Sequence, residues 1–264
     1  MNVKAFEQVA TIAARSGGEV LKRRFREKTP LQIEAKGIHD YVTEVDREAE
    51  AAVLQEIRSN FPDHGIISEE DSPNAAREGL RWVVDPLDGT TNFIHGVQPF
   101  CVSVALEDDD GPLASAIYDP YHVEMFRAAR GEGAFVNDEK IACSPISQAD
   151  GALLATGFPF RELSRLDQYL KAFEAFVRST SGIRRAGSAA IDLAYTACGR
   201  YDGFWEIGLS RWDIAAGILL VTEAGGRVSD PLGGTTALDT GDLVAAGPDL
   251  HAWMLETTKE AFGG

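Results

Sequence analysis

Trp82-Val83-Val84-Asp85-Pro86-Leu87-Asp88-Gly89-Thr90-Thr91-Asn92-Phe93 is the stretch on which the reading of this chain turns. An apolar run ends in an aspartate, a proline follows, and a second aspartate precedes Gly-Thr-Thr. Pro86 has no N–H to extend a ladder, so the pattern predicts that Asp85 ends a buried strand and that Asp88 follows in the turn. Two carboxylates at that spacing can converge on a pair of hard cations, with a backbone carbonyl between them as a further oxygen ligand. Oxygen-only ligation suits magnesium rather than zinc. Gly89-Thr90-Thr91 reads as a helix start whose N–H groups would cradle a phosphate. Taken alone, the same residues are equally an Asp-Pro turn followed by a threonine N-cap.

Three further acids stand in comparable places. Ile66-Ile67-Ser68-Glu69-Glu70 is a short apolar strand ending in acids, the place where sites collect, although such runs are often solvated loops. Asp213 opens an otherwise apolar helix in Arg211-Trp212-Asp213-Ile214-Ala215, where it either complements the helix dipole or holds a metal. Asp46 follows Thr43 at capping-box spacing, with Asp in place of Glu or Gln; the alternative is an acid that orients a hydroxyl or a water.

Periodicity gives the frame around these residues. Helices are expected over 3–26, 43–61, 163–178, 188–197, 212–224 and 250–261. Strands are expected over 31–35, 65–68, 80–84, 100–107, 112–118, 123–129, 134–141, 153–156, 202–206, 227–229 and 243–246. Pro30 ends the first helical region, a polar loop runs from Asp71 to Gly79, and Asp108-Asp109-Asp110-Gly111 joins a hairpin. Such a mixture implies helices layered on mostly antiparallel or mixed sheets. The chain divides into an N-terminal half, 1–145, with most of the candidate ligands, and a C-terminal half, 146–264, with Asp213, packed as one unit.

Composition narrows the function. A net charge of −16 leaves no basic face of the kind nucleic-acid binders show, so direct nucleic-acid contact is not expected. It would also repel a phosphorylated substrate, so phosphate chemistry here has to bring metal with it. No apolar run approaches the roughly 18 residues of a membrane span, and the first residues read as a helix, not a targeting peptide, so a cytoplasmic protein is expected. Cys101, Cys143 and Cys198 are sparse and odd in number, and read as small apolar core residues. His39, His64, His95, His122 and His251 show no metal-ligand spacing, although His95 lies beside the central motif. Arg184 and Arg211 could touch a substrate or a partner subunit but read first as solvated or ion-paired surface residues. Gly131-Glu132-Gly133 lacks the third glycine of a dinucleotide fingerprint.

Taken together, the central motif, Asp40-Tyr41-Val42-Thr43 through Asp46, Ser68-Glu69-Glu70, and Trp212-Asp213 with Gly225-Gly226 resemble the inositol monophosphatase family. Lys36-Gly37, Arg185 through Ala190, and Asp202 through Glu206 extend the resemblance over nearly the whole chain. It implies an α/β/α/β/α sandwich of the sugar phosphatase type. It also implies Glu69, Asp85, Asp88, Asp213 and the Leu87 carbonyl as ligands for two or three magnesium ions. Thr90, paired with Asp46, and Glu69 would position and activate the attacking water. Asp88, Gly89, Thr90, Ala189, Glu206 and Asp213 would contact the substrate, Gly89 and Thr90 through backbone N–H groups on the phosphate. The activity implied is hydrolysis of a phosphate monoester, first of all inositol monophosphate, by a homodimer sensitive to lithium. Fructose-1,6-bisphosphate or another sugar or nucleotide phosphate is the alternative substrate, and a non-catalytic regulatory binding role is the alternative of another class.

Overall fold

The computed structural model describes residues 2–27, 33–37, 40–70, 79–160 and 163–263. Pro30, the first residues of the strand expected over 31–35, His39 and most of the polar loop expected after Asp71 lie outside the described residues. Two helices, α1 (Val3–Glu27) and α2 (Glu44–Asn60), flank an antiparallel hairpin, β1 (Ile33–Gly37) and β2 (Asp40–Thr43). Seven strands follow: β3 (Gly65–Ser68), β4 (Arg81–Asp88), β5 (Cys101–Asp108), β6 (Gly111–Asp119), β7 (Glu124–Ala129), β8 (Gly133–Val136) and β9 (Glu139–Lys140). They form one sheet in chain order, with β3 parallel to β4 and the rest antiparallel. A short helix, α3 (Thr90–Ile94), leaves the end of β4.

The remainder of the chain alternates. It supplies β10 (Leu153–Thr156), α4 (Leu166–Ser179), β11 (Gly182–Arg184), α5 (Ala189–Ala197), β12 (Gly203–Glu206), α6 (Arg211–Glu223), β13 (Arg227–Ser229), α7 (Ala237–Thr240), β14 (Leu243–Ala246) and α8 (Pro248–Phe262). These strands make a mixed sheet in the order β11-β10-β12-β14-β13.

The side-chain alternation of the strands explains why helices sit on both faces. Along β4, Trp82 and Val84 join a core shared with α1 and α2, whereas Val83 points to the opposite core with α5 and α6. In β5, Val102, Val104 and Leu106 face the first core and Cys101 and Ala105 the second. In β12 and β14, Phe204, Leu243 and Ala245 face α5 and α6, while Trp205, Val244 and Ala246 meet α4 and α8. Central strands buried on both faces cannot alternate with polar residues, so they read as apolar runs. The layers are α1/α2, the seven-stranded sheet, α5/α6, the five-stranded sheet and α4/α8: the α/β/α/β/α order expected. Among the described residues no helix is long and apolar enough to cross a membrane.

Two local expectations are corrected. The strand carrying the central motif does not end at Asp85. It rejoins β5 at Asp88, and the register shift between the two is a bulge that accommodates Pro86 without a ladder bond. The strand expected over 134–141 is split into β8 and β9 by a turn at Asn137-Asp138, where Asn137 takes φ 52°; asparagine tolerates this left-handed region.

Candidate active site

Asp85 and Asp88 flank the bulge at the end of β4, so the distortion that Pro86 forces sets the direction of both carboxylates. Asp85 is 1% exposed and turns one oxygen back onto its own chain, accepting from Leu87 N–H at 2.9 Å. Asp88, 9% exposed, is held from the other half of the molecule. Its Oδ2 accepts from Ser188 Oγ at 2.6 Å and from Ala190 N at 2.7 Å, at the start of α5. Asp213 reaches the same point from the first turn of α6. Carboxylate oxygens of Asp85, Asp88 and Asp213 all lie within 4.8 Å of one another.

Glu69 follows β3 directly and lines the same cavity, outside that tight triad. Its segment is anchored by Glu50 of α2, a buried side chain that accepts from Ser68 Oγ and, at 3.2 Å, from Glu70 N. Burial first, then the charges of Glu69, Asp88 and Asp213, drive the Asp85 carboxyl well above the usual carboxylate range. So many carboxylates cannot all be ionised in a buried site without positive charge among them. The donor set is oxygen only, which fits a hard divalent cation such as magnesium.

Asp46 and Asp213 each do two things at once. Both are the third residue of a helix and close a capping box: Asp46 Oδ2 accepts from Thr43 N at 2.9 Å and Thr43 Oγ1 at 2.6 Å, and Asp213 Oδ2 accepts from Ser210 N at 2.7 Å. The remaining oxygen of Asp46 accepts from Thr90 Oγ1 at 3.3 Å, and the same hydroxyl reaches the Leu87 carbonyl at 2.9 Å. The capping and functional readings of Asp46 are therefore compatible. Burial raises this carboxyl to about 6, against the opposing bonds from Thr43.

Gly89 stands at φ 93°, and a Cβ there would lie 2.9 Å from the Pro99 carbonyl, so the glycine of the central motif is required twice over. Asn92 clamps the far side of α3, its Nδ2 donating to Pro99 O at 2.7 Å and Ala186 O at 2.9 Å. Gly89, Thr90, Ala189 and Glu206 all line one cavity of about 650 Å³ with the acids above. His95 also lines it. The expected site residues are thus brought together, with Asp46 reached through Thr90.

Several participants were not singled out from sequence. Ser188 holds the Asp88 carboxylate and Glu50 anchors the backbone next to Glu69, yet both carry only capping or helix-face signals in sequence. Gly157 makes room for Glu206: a Cβ would lie 1.9 Å from its Oε1. Asp192 lines the cavity at 1% exposure, with no partner for Oδ1 among the described residues. Burial and then Glu206 and Asp88 push its carboxyl well above the usual range. Arg211 proves to be paired: its Nε lies 2.9 Å from Oε1 of the buried Glu107. Arg184 is exposed and turns toward its neighbour's carbonyl. Cys101 is fully buried, and Cys143 and Cys198, half-buried, pack against the same core.

A model of the inositol monophosphatase family matches residues 2–261. The Pseudomonas aeruginosa protein called Nus factor SuhB is 46% identical over 256 residues, covering 95% of this chain and 94% of that protein. The Escherichia coli K12 protein of the same name is 42% identical over 253 residues, covering 96% and 95%. Among solved structures, extragenic suppressor protein suhB from Bartonella henselae superposes with TM-score 0.92 at 40% identity, covering 97% of this chain and 99% of that one. The inositol monophosphatase from Anabaena (Nostoc) sp. PCC 7120 gives TM-score 0.84 at 36% identity, covering 98% and 97%.

Proposed function

The chain belongs to the inositol monophosphatase family, and on that premise we propose that it is a magnesium-dependent phosphatase that hydrolyses a monoester, inositol monophosphate foremost. The observation that carries the reading is the meeting of Asp85, Asp88 and Asp213, from separate elements, within 4.8 Å in the cavity that also holds Glu69 and Thr90. In this reading Glu69, Asp85, Asp88, Asp213 and the Leu87 carbonyl hold the magnesium ions, two or three per site. Bound magnesium supplies a lowered pKa for water and neutralises the charge of the phosphate.

The chain's own groups do the rest. Asp46, ionised, accepts from Thr90 Oγ1 and orients that hydroxyl toward the attacking water, while the Glu69 carboxylate takes up the proton the water loses. Ser188 and Ala190 fix Asp88 against rotation as charge moves in the transition state. The N–H groups of Gly89 and Thr90 hold the phosphate, and Ala189 and Glu206 face the hydroxyls of the leaving polyol. The two halves, 1–145 and 146–264, each contribute ligands, so the site forms only when they pack. The family's homodimer and lithium sensitivity belong to the same reading.

A second reading rests on the relatives named Nus factor: a regulatory binding role in transcription. One assay separates the two. Phosphate release is measured from inositol 1-phosphate, fructose-1,6-bisphosphate and a nucleotide 3′-phosphate, with and without magnesium, for the wild type and Asp88→Asn. Magnesium-dependent turnover that Asp88→Asn abolishes supports the phosphatase, and the preferred ester names its substrate. Failure of folded, magnesium-loaded protein on every ester would overturn catalysis and leave the regulatory reading.

A further inference from the structure

α2 presents two buried carboxylates one turn apart: Asp46, wholly buried, and Glu50, 5% exposed. Side chains four residues apart on a helix lie one above the other on the same face. Each accepts from a different wall of the site. Asp46 Oδ1 accepts from Thr90 Oγ1 at 3.3 Å, at the start of α3. Glu50 Oε1 accepts from the Ser68 hydroxyl and, at 3.2 Å, from Glu70 N, the residues on either side of Glu69. Glu69 N itself donates to the Val84 carbonyl of β4 at 3.2 Å. Ser68, Glu69 and Glu70 are thus held one after another, the middle by β4 and the outer two by a single carboxylate.

The helix that carries both acids has little freedom to shift. A capping box at Thr43 closes its first turn, and Val45, Ala49, Val53 and Ile57 are completely buried. A Cβ on Gly17 of α1 would lie 2.7 Å from Val53 Cγ2, so the glycine lets the two helices meet closely. The same core holds Trp82 and Val84 of β4, the strand that ends in Asp85 and Asp88. Burying a carboxylate costs solvation, and Glu50 does not line the cavity. Its bonds reach the site only through the segment it holds.

We propose that Glu50 is a positioning residue for hydrolysis, and that α2, through Glu50 and Asp46, sets Glu69 and Thr90 at one fixed spacing around the attacking water. This rests on the phosphatase reading, in which Glu69 takes up the proton of that water and Thr90 orients it. Values of kcat and KM for inositol 1-phosphate are measured for the wild type, Glu50→Ala and Glu50→Gln. Met254→Ala, a cavity in the separate core under α8, is the control for lost stability alone.

Glu50→Ala is expected to lower kcat by about ten- to hundredfold, the scale for losing an outer partner of a ligand or misplacing a reacting group. KM should stay within about threefold, because the groups that hold the phosphate are untouched. Glu50→Gln keeps an oxygen acceptor for both donors and should recover most of kcat, while Met254→Ala should melt earlier with kcat unchanged. In a Glu69→Gln background, Glu50→Ala should cost less than about twofold more, since a residue acting through Glu69 has nothing left to act on. An undiminished effect in that background, a glutamine variant as slow as the alanine one, or equal kcat losses in Glu50→Ala and Met254→Ala would each overturn the proposal. Should Glu50→Ala not fold, Ser68→Ala removes one of the two bonds from the opposite side, with an expected kcat loss of about threefold or more.

Magnesium titration by calorimetry, without ester, runs in parallel. Glu50→Ala should weaken binding by about tenfold or more, Glu50→Gln should recover it, and the difference should vanish in the Glu69→Gln background. Unchanged magnesium affinity in Glu50→Ala would overturn the positioning of Glu69. This readout holds even if no ester is hydrolysed, so the phosphatase reading and the role of Glu50 can fail separately.

Discussion

Replacing Glu107 with glutamine tests the account of how the two elements that carry the acid triad are tied together. Glu107 lies on β5 and is completely buried. Its Oε1 accepts from Arg81 Nε at 2.6 Å, at the start of β4, and from Arg211 Nε at 2.9 Å, at the start of α6. Glutamine keeps the shape and removes the charge. Breaking a buried ion pair typically costs about 3–5 kcal/mol. Here the released guanidiniums retain partners: Arg81 keeps Asp109 at 3.0 Å and the Gly79 carbonyl at 3.2 Å, and Arg211 keeps Asp239 at 3.3 Å. Arg211 is also a quarter exposed, so water reaches it. The lower end applies, about 3 kcal/mol, which lowers Tm by roughly 6–12 °C in a chain of this size. The assay is denaturant unfolding of metal-free protein against Glu174→Gln, which breaks a surface pair with Arg178 at 65% and 73% exposure. That control should lose less than about 0.5 kcal/mol. Raising ionic strength should leave the Glu107 effect in place, because salt screens buried pairs poorly. Losses from the two variants that agree within about 1 kcal/mol would refute the claim that this buried pair is a strut.

Three further outcomes follow from the geometry. Gly157→Ala puts a methyl where the Glu206 carboxylate lies, 1.9 Å from Oε1. Stability should change by less than about 1 kcal/mol, because a flexible side chain can yield. Displacement of Glu206 should lower kcat/KM on polyol esters by roughly tenfold or more, and unchanged kinetics would remove Glu206 from the substrate wall. Asp46 binds its proton more tightly folded, at about 6, than at its ordinary 3.8, so its contribution favours folding below the ordinary value and is lost as pH rises through about 6. Relative to Asp46→Asn, metal-free wild type should lose about 2.4 kcal/mol of unfolding free energy between pH 4 and pH 7, and a pH-independent difference would contradict the burial argument. Magnesium at about 100 times its Kd should stabilise the protein by about 2.7 kcal/mol, and Asp88→Asn should abolish that gain in thermal melting; equal gains in both would place the cation elsewhere.

Much of the fold was legible because its signals are local. The apolar runs of β4 and β5, the helical spacing of α1 and α2, and the Thr43 cap all follow from period and capping chemistry within a few residues. The bulge at Asp85 to Asp88 was not, because proline only forbids a ladder bond; whether the strand stops or resumes depends on the neighbouring strand, which re-pairs at Cys101. The turn at Asn137 had a signal in Asn-Asp, overridden by the apolar residues on either side. The short β11 and α7 offered too few residues for a period.

In the site, sequence alone determined which acids are chemically suspect and that an acidic chain handling phosphate needs a cation. Tertiary structure decided what those acids share. By sequence Asp46 fits a capping box and Asp213 complements a helix dipole or holds a metal, and only packing shows that Asp46 keeps an oxygen for Thr90 and that Asp213 caps its helix while meeting Asp85 and Asp88. Ser188 holds Asp88 and Glu50 holds the Glu69 segment, both across long stretches of chain. Hydrogen bonds and Coulomb interactions depend on distance in space, and a linear sequence specifies that distance only through the fold it encodes.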